Sequence, residues 1–351
     1  MANLGNTVTI LCRGNGSASA NGVQLLRIPV EIPDKVLAGM PSQLAFSLRA
    51  AGYISRIVPP PDVTILNFRL SAMAISHLRI PKIYTVHVPE AFGFMKSASV
   101  AANPLNLPLY YIKRMAETDV MKHSDQLIVQ NHWIKEYIET LGYDDARIAV
   151  VPNAVDLRDF PPQSDADDSY VLFVGRLDWN KRPEMVLEAF ARLDKELQNR
   201  YTVRIIGTGY SARKVRERAR ALGISGRVQF LGFLPRSEVL RQISRCSVLV
   251  LPSLYESFPV VMLEGMACRK TVIASDIPGP QDAISSGKNG LLFKSSSLDQ
   301  LVEMIRLALS DDAFRRQIGR SARGLVESQY TFVSTAREYL SVASSISADD
   351  L

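Results

Sequence analysis

The stretch Val248-Leu249-Val250-Leu251-Pro252-Ser253-Leu254-Tyr255-Glu256-Ser257-Phe258-Pro259-Val260-Val261-Met262-Leu263-Glu264-Gly265-Met266-Ala267 decides the fold class. Its first four residues are apolar without alternation and stop at a proline, which is how a strand buried on both faces reads. A polar loop follows, then an apolar segment of helix length. Ser257 reads as the cap of that helix, with Pro259 in its first turn, where a missing N–H costs nothing. The amides of Val260 and Val261 then point out of the helix start, where unpaired N–H groups and the helix dipole favour an anion. Glu256 lies in the loop just ahead. Glu264 comes eight residues later among Met262, Leu263, Met266 and Ala267, and a carboxylate in so apolar a helix needs a partner. The two hydroxyls of a ribose would supply one; a plain exposed glutamate is the alternative.

Outward from this segment, short apolar runs alternate with amphipathic stretches along the whole chain. Thr7–Cys12, Val63–Asn67, Ile83–Val86, Gln126–Gln130 and Ile148–Val151 form one set of expected strands. Tyr170–Gly175, Thr202–Ile206, Arg227–Leu231, Val248–Leu251, Thr271–Ala274 and Gly290–Phe293 form a second. The architecture this implies is α/β, with two doubly wound parallel-sheet units in tandem. The polar, proline-bearing run Asp159–Ser169 reads as a linker. The expected division is therefore 1–158 and 159–330, with a terminal helix over 331–351 placed as crossing back to the first domain.

Composition agrees with a globular protein of two domains: 351 residues, 47% apolar and 22% charged. No apolar run reaches the roughly 18–20 residues of a membrane helix, and no basic-then-apolar leader opens the chain. The three cysteines, Cys12, Cys246 and Cys268, are odd in number and scattered, so neither a disulfide framework nor a zinc site is expected, and a reducing cytoplasm is. The net charge of +6 is small for this length. Its densest cluster, Arg213–Arg220, reads as the solvated face of a helix, with an anionic partner such as membrane headgroups as the alternative. Nucleic acid is not an expected partner, because no aromatic interleaving or reading motif accompanies the charge.

In a doubly wound sheet, ligands sit where loops leave the carboxyl ends of the strands. After Val171–Val174 comes Gly175-Arg176-Leu177-Asp178-Trp179-Asn180-Lys181-Arg182-Pro183, with Gly175 at a tight turn and Asn180 as the expected cap of a helix starting near Lys181. Arg176 and Lys181 beside a helix start would suit a diphosphate. After Thr202–Ile206 comes Gly207-Thr208-Gly209, which reads equally as a backbone approach to a ligand or as a plain turn.

These residues, taken together, resemble the retaining GT-B glycosyltransferases of the large family 4 / group 1 superfamily. Glu256 to Glu264 is similar to that family's Glu-x7-Glu motif. Gly175-Arg176-Leu177 with Lys181, Gly207-Thr208-Gly209, Val228–Leu234 and Ser275–Pro280 follow in the family's order. The resemblance covers about residues 120–345. It implies a GT-B fold, two Rossmann-like domains facing a cleft, and a nucleotide diphosphate sugar bound by the second domain as co-substrate, with no cofactor and no metal. By the same likeness Arg176 and Lys181 would neutralise the diphosphate, with Gly207, Gly209 and the amides of Val260 and Val261 assisting. Glu264 would take the ribose hydroxyls, Phe233 and Leu234 would lie near the base, and Glu256 near the sugar. His87, closing the strand Tyr84-Thr85-Val86-His87, is the resemblance's candidate contact to the transferred sugar; on its own it reads as readily as a core histidine. Val151–Asp156 resembles the family's hinge segment, with a structural role.

The chain departs from the family pattern at its start. Met1–Ile10 resembles a segment that family members carry after a first strand, a glycine-rich loop and a helix, so those are expected to be missing here. A start assigned too late, a truncation and a protein that has given up catalysis are the three explanations. Asp282 also stands where the family often has glutamate. The implied activity is transfer of a sugar to a hydroxyl acceptor, lipid-linked or polysaccharide, in cell-envelope or polysaccharide synthesis. The alternatives are a silent nucleotide-sugar-binding protein and a nucleotide-sugar epimerase. The segment Ala91–Asn106, mostly apolar at its start, reads as a mobile loop or as a contact to a lipid-linked acceptor at the inner membrane face.

Overall fold

The computed structural model describes residues 1–2, 5–13, 17–20, 23–28, 40–87, 106–161 and 167–349. They form two compact units, Met1–Val151 with Ala336–Leu351, and Pro152–Thr335. The division falls at 151/152 where the sequence reading put it at 158/159. Val155 bridges to Thr331 and is buried in the second unit's core, which draws the intervening residues into that unit. The segment Ala91–Asn106 has only its last residue among those described.

The first unit holds β1 (Val8–Arg13), β2 (Ser17–Ala20), β3 (Val23–Ile28), α1 (Met40–Ile54), β4 (Thr64–Leu66), α2 (Arg69–Ala72), β5 (Lys82–Val86), α3 (Asn106–Lys122), β6 (Gln126–Val129), α4 (His132–Thr140) and β7 (Ile148–Val150). Strands β4-β5-β6-β7 pair in that order, all parallel. Side chains alternate across them. Tyr84, Val86, Leu127 and Val129 pack against α1, α3 and α4, while Ile83 and Ile128 turn to the opposite face and meet Tyr339 and Ile346 of the terminal helix. The expected strand near Thr7–Cys12 exists, but it belongs to a separate three-stranded sheet of order β1-β3-β2. Strands β2 and β3 escaped the sequence reading; Ser17-Ala18-Ser19-Ala20 carries none of the β-branched or aromatic residues that mark a strand, whereas β3 does carry Val23 and Ile28.

The second unit runs β8 (Tyr170–Val174), α5 (Pro183–Ala191), α6 (Lys195–Arg200), β9 (Thr202–Ile206), α7 (Ala212–Ala221), β10 (Val228–Gly232), α8 (Arg236–Arg245), β11 (Val248–Leu251), α9 (Val260–Ala267), β12 (Thr271–Ser275), α10 (Pro280–Ala283), β13 (Leu291–Phe293), α11 (Leu298–Ser310), α12 (Asp312–Gln329) and the start of α13 (Phe332–Asp349). Its six strands are parallel in the order β10-β9-β8-β11-β12-β13. The order reverses between β8 and β11, so the loops after those two strands diverge around a crevice. Both faces are buried: Val171 and Phe173 pack with Leu187 and Phe190 of α5, Tyr170 and Leu172 with Met262 and Met266 of α9. Cys246 and Cys268 are free and buried, and burial pushes both thiols up to about 12. The cations of α7 are largely matched: Arg213 pairs with Glu217, Arg218 with Glu188, and Arg216 lies over the Phe230 ring.

Helix α12 is anchored through a buried cation. The Arg315 guanidinium bonds to Asp167 at 2.8 Å, to Asp312 at 2.7 Å and to the Ala308 carbonyl at 2.9 Å. Burial would raise the Asp167 carboxyl, but the Ser247 hydroxyl and Arg315 outweigh it and hold the group below its ordinary range. Arg315→Met strands Asp167 without its cation and should lower stability by about 3–5 kcal/mol. Urea unfolding checks this, and Asp167→Asn in the same chain should recover part of the loss.

Candidate active site

The crevice is assembled from the loops that follow β8, β9, β10, β11 and β12. After β8, the Asp178 carboxylate accepts the amides of Asn180 at 3.1 Å and Lys181 at 2.9 Å, an Asx turn that keeps the chain out of helix. Helix α5 consequently starts at Pro183, with Arg182 in the left-handed region at its cap position (φ 46°), and not near Lys181. Asn180 is therefore no helix cap. Its side chain reaches across the switch point, accepting from the Tyr255 amide at 3.1 Å and donating to the Tyr255 carbonyl at 3.2 Å, while its own carbonyl accepts from Leu254 at 2.8 Å. Arg182 donates to the Pro252 carbonyl at 2.7 Å and to that of Ser295 at 2.8 Å. Asn153, which precedes the Val155–Thr331 bridge, donates to the Phe258 carbonyl at 2.7 Å.

The pinned loop presents Glu256. Its Oε1 accepts from the Lys181 ammonium and, at 2.7 Å, from the Ser253 hydroxyl. A Cβ at Gly279 (φ 90°) would sit 2.4 Å from the Ser257 carbonyl oxygen, so the β12 loop backs directly onto this turn. Lys181 and Glu256, expected on one ligand, are thus brought together on each other. Arg176 is mostly exposed and lies 3.3 Å from Asp178. Gly207 and Gly209 are required by backbone crowding: an added Cβ would lie 1.9 Å from the Gly175 carbonyl and 2.3 Å from that of Leu177. They weld the β9 loop to the β8 loop, with Leu177 donating to Thr208 at 2.9 Å.

Helix α9 begins at Val260 with Pro259 at the cap position, extended and with no side-chain cap, so Ser257 does not cap it and Pro259 lies outside its first turn. Val260 is exposed and Val261 half-buried at the open helix start. Glu264 is buried, and its partner is Arg236, the first residue of α8, at 2.5 Å; Arg236 also approaches Asp159 at 3.6 Å. Burial raises the Glu264 carboxyl above its ordinary value, with Arg236 opposing. Phe233 is 81% exposed beside the crevice loops, whereas Leu234 packs into the core beneath. His87 follows directly after β5 in the first unit, 3.2 Å from the Asn67 side chain and with the Phe68 ring 6.0 Å away; burial lowers its pKa below the ordinary imidazole value. Asn180, Arg182, Ser253 and Arg236 were not read as site residues. For Arg182 a signal exists, since the residue before Pro183 is barred from ordinary helical geometry; Arg236 has none, as only folding brings it to Glu264.

The two parallel sheets define a GT-B glycosyltransferase fold. The model of the family described as "Glycosyl transferases group 1" matches residues 156–325, and that of "Glycosyltransferase Family 4" matches residues 1–159. The chain belongs to this group 1 / family 4 class of glycosyltransferases. A D-inositol 3-phosphate glycosyltransferase of Kribbella flavida is 29% identical over 357 residues, covering 92% of this chain and 82% of the relative. Among solved structures, sucrose-phosphate synthase from Thermosynechococcus elongatus superposes with a TM-score of 0.80 at 21% identity, covering 98% of this chain and 90% of that one. HepE of Anabaena in complex with UDP-glucose superposes with a TM-score of 0.71 at 19% identity, covering 93% and 87%. Among the described residues no helix is long and apolar enough to cross a membrane.

Removing the Asn180 amide takes away both of its bonds to the Tyr255 backbone. Leaving such groups unbonded costs about 1–3 kcal/mol. Asn180→Ala should therefore lower sugar-transfer activity by roughly 10-fold or more while the chain stays folded, checked by steady-state kinetics beside circular dichroism.

Proposed function

We propose that the chain is a retaining glycosyltransferase that moves a sugar from a nucleotide diphosphate sugar to an acceptor hydroxyl without a metal in the transfer step. The observation that carries this reading is the convergence, at the β8/β11 switch point, of Lys181, Glu256 and the uncapped start of α9. In the transfer, the bond from the anomeric carbon to the β-phosphate oxygen breaks and the electron pair leaves with the nucleotide diphosphate. The sugar passes through an oxocarbenium-like state, and the acceptor oxygen bonds to the same face while its proton moves to the departing phosphate. Charge grows on the phosphate, where Lys181, Arg176 and the Val260 and Val261 amides stabilise it without reorganising. The diphosphate competes with Glu256 for Lys181, which turns the Glu256 carboxylate toward the sugar hydroxyls. Glu264 accepts the ribose hydroxyls, exchanging part of its bond to Arg236. The exposed ring of Phe233 offers a face to the base, and His87 contacts the transferred sugar. The co-crystal of HepE with UDP-glucose supports a nucleotide sugar as donor for this fold. The acceptor, lipid-linked or polysaccharide, would be taken up by the first unit, at the cytoplasmic membrane face.

Incubation with UDP-, GDP-, ADP- and dTDP-sugars in water tests the class: slow release of free nucleotide diphosphate supports transfer, an isomerised sugar nucleotide supports an epimerase, and binding without turnover a silent module. Lys181→Ala should depress turnover by roughly 10²–10³-fold, and an effect of only a few-fold would remove Lys181 from the diphosphate. Added EDTA should leave the rate unchanged.

A pH dependence follows from Glu264. Its raised pKa means that protonation sets in above 4.5, and a protonated carboxyl loses half of its acceptor pair. The KM for the donor should rise as pH falls from neutrality toward 4.5, and Glu264→Gln should raise KM at neutral pH and flatten that dependence. For stability the sign is opposite: the folded state holds this proton more tightly than the unfolded one, so Glu264 destabilises least at the acid end of the window.

A further inference from the structure

We propose that His77, Asp119 and His123 of the first unit form a binding site for a divalent transition-metal ion, zinc, which staples the segment before β5 to the end of α3. His77 Nε2 lies 3.0 Å from Asp119 Oδ2, and His123 Nδ1 lies 3.3 Å from Asp119 Oδ1. One ligand atom from each residue falls within 4.8 Å of the other two. The imidazole rings stand 4.2 Å apart at 51°, in contact with each other, and one nitrogen of each faces the same Asp119 carboxylate. Two imidazoles and a carboxylate are a donor set that zinc accepts, with a fourth position left for water. Around a tetrahedral ion at about 2.1 Å, ligand atoms sit roughly 3.4 Å apart. Closing from 4.8 Å takes small side-chain rotations, and the three groups have room for them: His77 and His123 are about half exposed.

The backbone beneath is already ordered. Asp119 and His123 are one helical turn apart, and the His123 amide donates to the Asp119 carbonyl at 3.1 Å. On the other side, Ser76 donates to Ala72 at 2.8 Å and Leu78 to Ile75 at 3.0 Å, which fixes His77 between them. His123 Nδ1 also lies 2.8 Å from the Asp119 carbonyl oxygen, a bond that coordination would replace.

The location assigns the ion a structural role. His77 precedes β5 and His123 precedes β6, and these strands are parallel, so both histidines stand at the amino ends. His87 follows the other end of β5, one strand length of roughly 16 Å away. The inference is therefore independent of the sugar-transfer reading. It also revises the expectation of no zinc site, which rested on the cysteines alone; His77 and Asp119 are 42 residues apart and no local spacing joins them.

Chelator-stripped full-length protein titrated with zinc chloride, read by competition with a chromophoric chelator and by thermal melting, tests this. One equivalent per chain is expected, with the first unit's Tm raised by about 5 °C at a hundredfold excess over Kd. His77→Ala and Asp119→Asn should each weaken binding at least tenfold and abolish the Tm gain, while His132→Ala should keep both. No bound equivalent, or equal binding by the His77→Ala/His123→Ala double variant, would overturn the site.

Discussion

The crevice of the second unit depends on the fastening of the turn over residues 252–258. A half-buried turn without regular structure leaves amides and carbonyls that must find partners elsewhere. Here they are found across the switch point of the sheet. Asn180 supplies both a donor and an acceptor to Tyr255, Arg182 takes the Pro252 carbonyl, and Asn153 takes that of Phe258. Glu256 is carried into reach of Lys181 by these bonds, and the open start of α9 follows from where the turn ends.

Charge in the crevice is balanced rather than exposed. Lys181 faces Glu256, Arg176 faces Asp178, and Arg236 faces Glu264. Each pair keeps a partly buried ion from standing alone, a condition that would cost several kcal/mol. In the function proposed above, each pair also leaves a cation that an incoming phosphate, or a carboxylate that an incoming hydroxyl, recruits by exchange. The same balance governs Arg315 between Asp167 and Asp312, where nothing is left to exchange and the result is an anchor for α12.

Much of this was legible in the residues. Strands such as Val248–Leu251 announce themselves because burial on both faces permits no polar alternation, and the breaks after them mark the crevice loops. Glu264 among methionines and alanine signalled a need for a partner. The partner itself was hidden: Arg236 sits on another helix, and no periodicity connects it to Glu264. Asn180 and Ser257 were misread for a related reason. Both have good capping side chains, but Asp178 claims the local amides ahead of α5, and Pro259 stands in an extended conformation (ψ 119°), so that α9 begins only at Val260. Strand β2 was invisible because its pairing with β3, not its composition, makes it a strand.

Sequence by itself determined the class: where the strands of the two parallel sheets lie, which loops carry acids, glycines and cations, and to which enzyme superfamily that order belongs. Those are properties of neighbours along the chain, where hydrophobic period and turn chemistry act over a few residues. Only the tertiary structure decided who meets whom. The β8–β11 adjacency, the Asn180 clasp, the Arg236–Glu264 pair and the His77–Asp119–His123 cluster all join residues far apart in sequence. Their association is set by sheet order and packing, which no local pattern encodes.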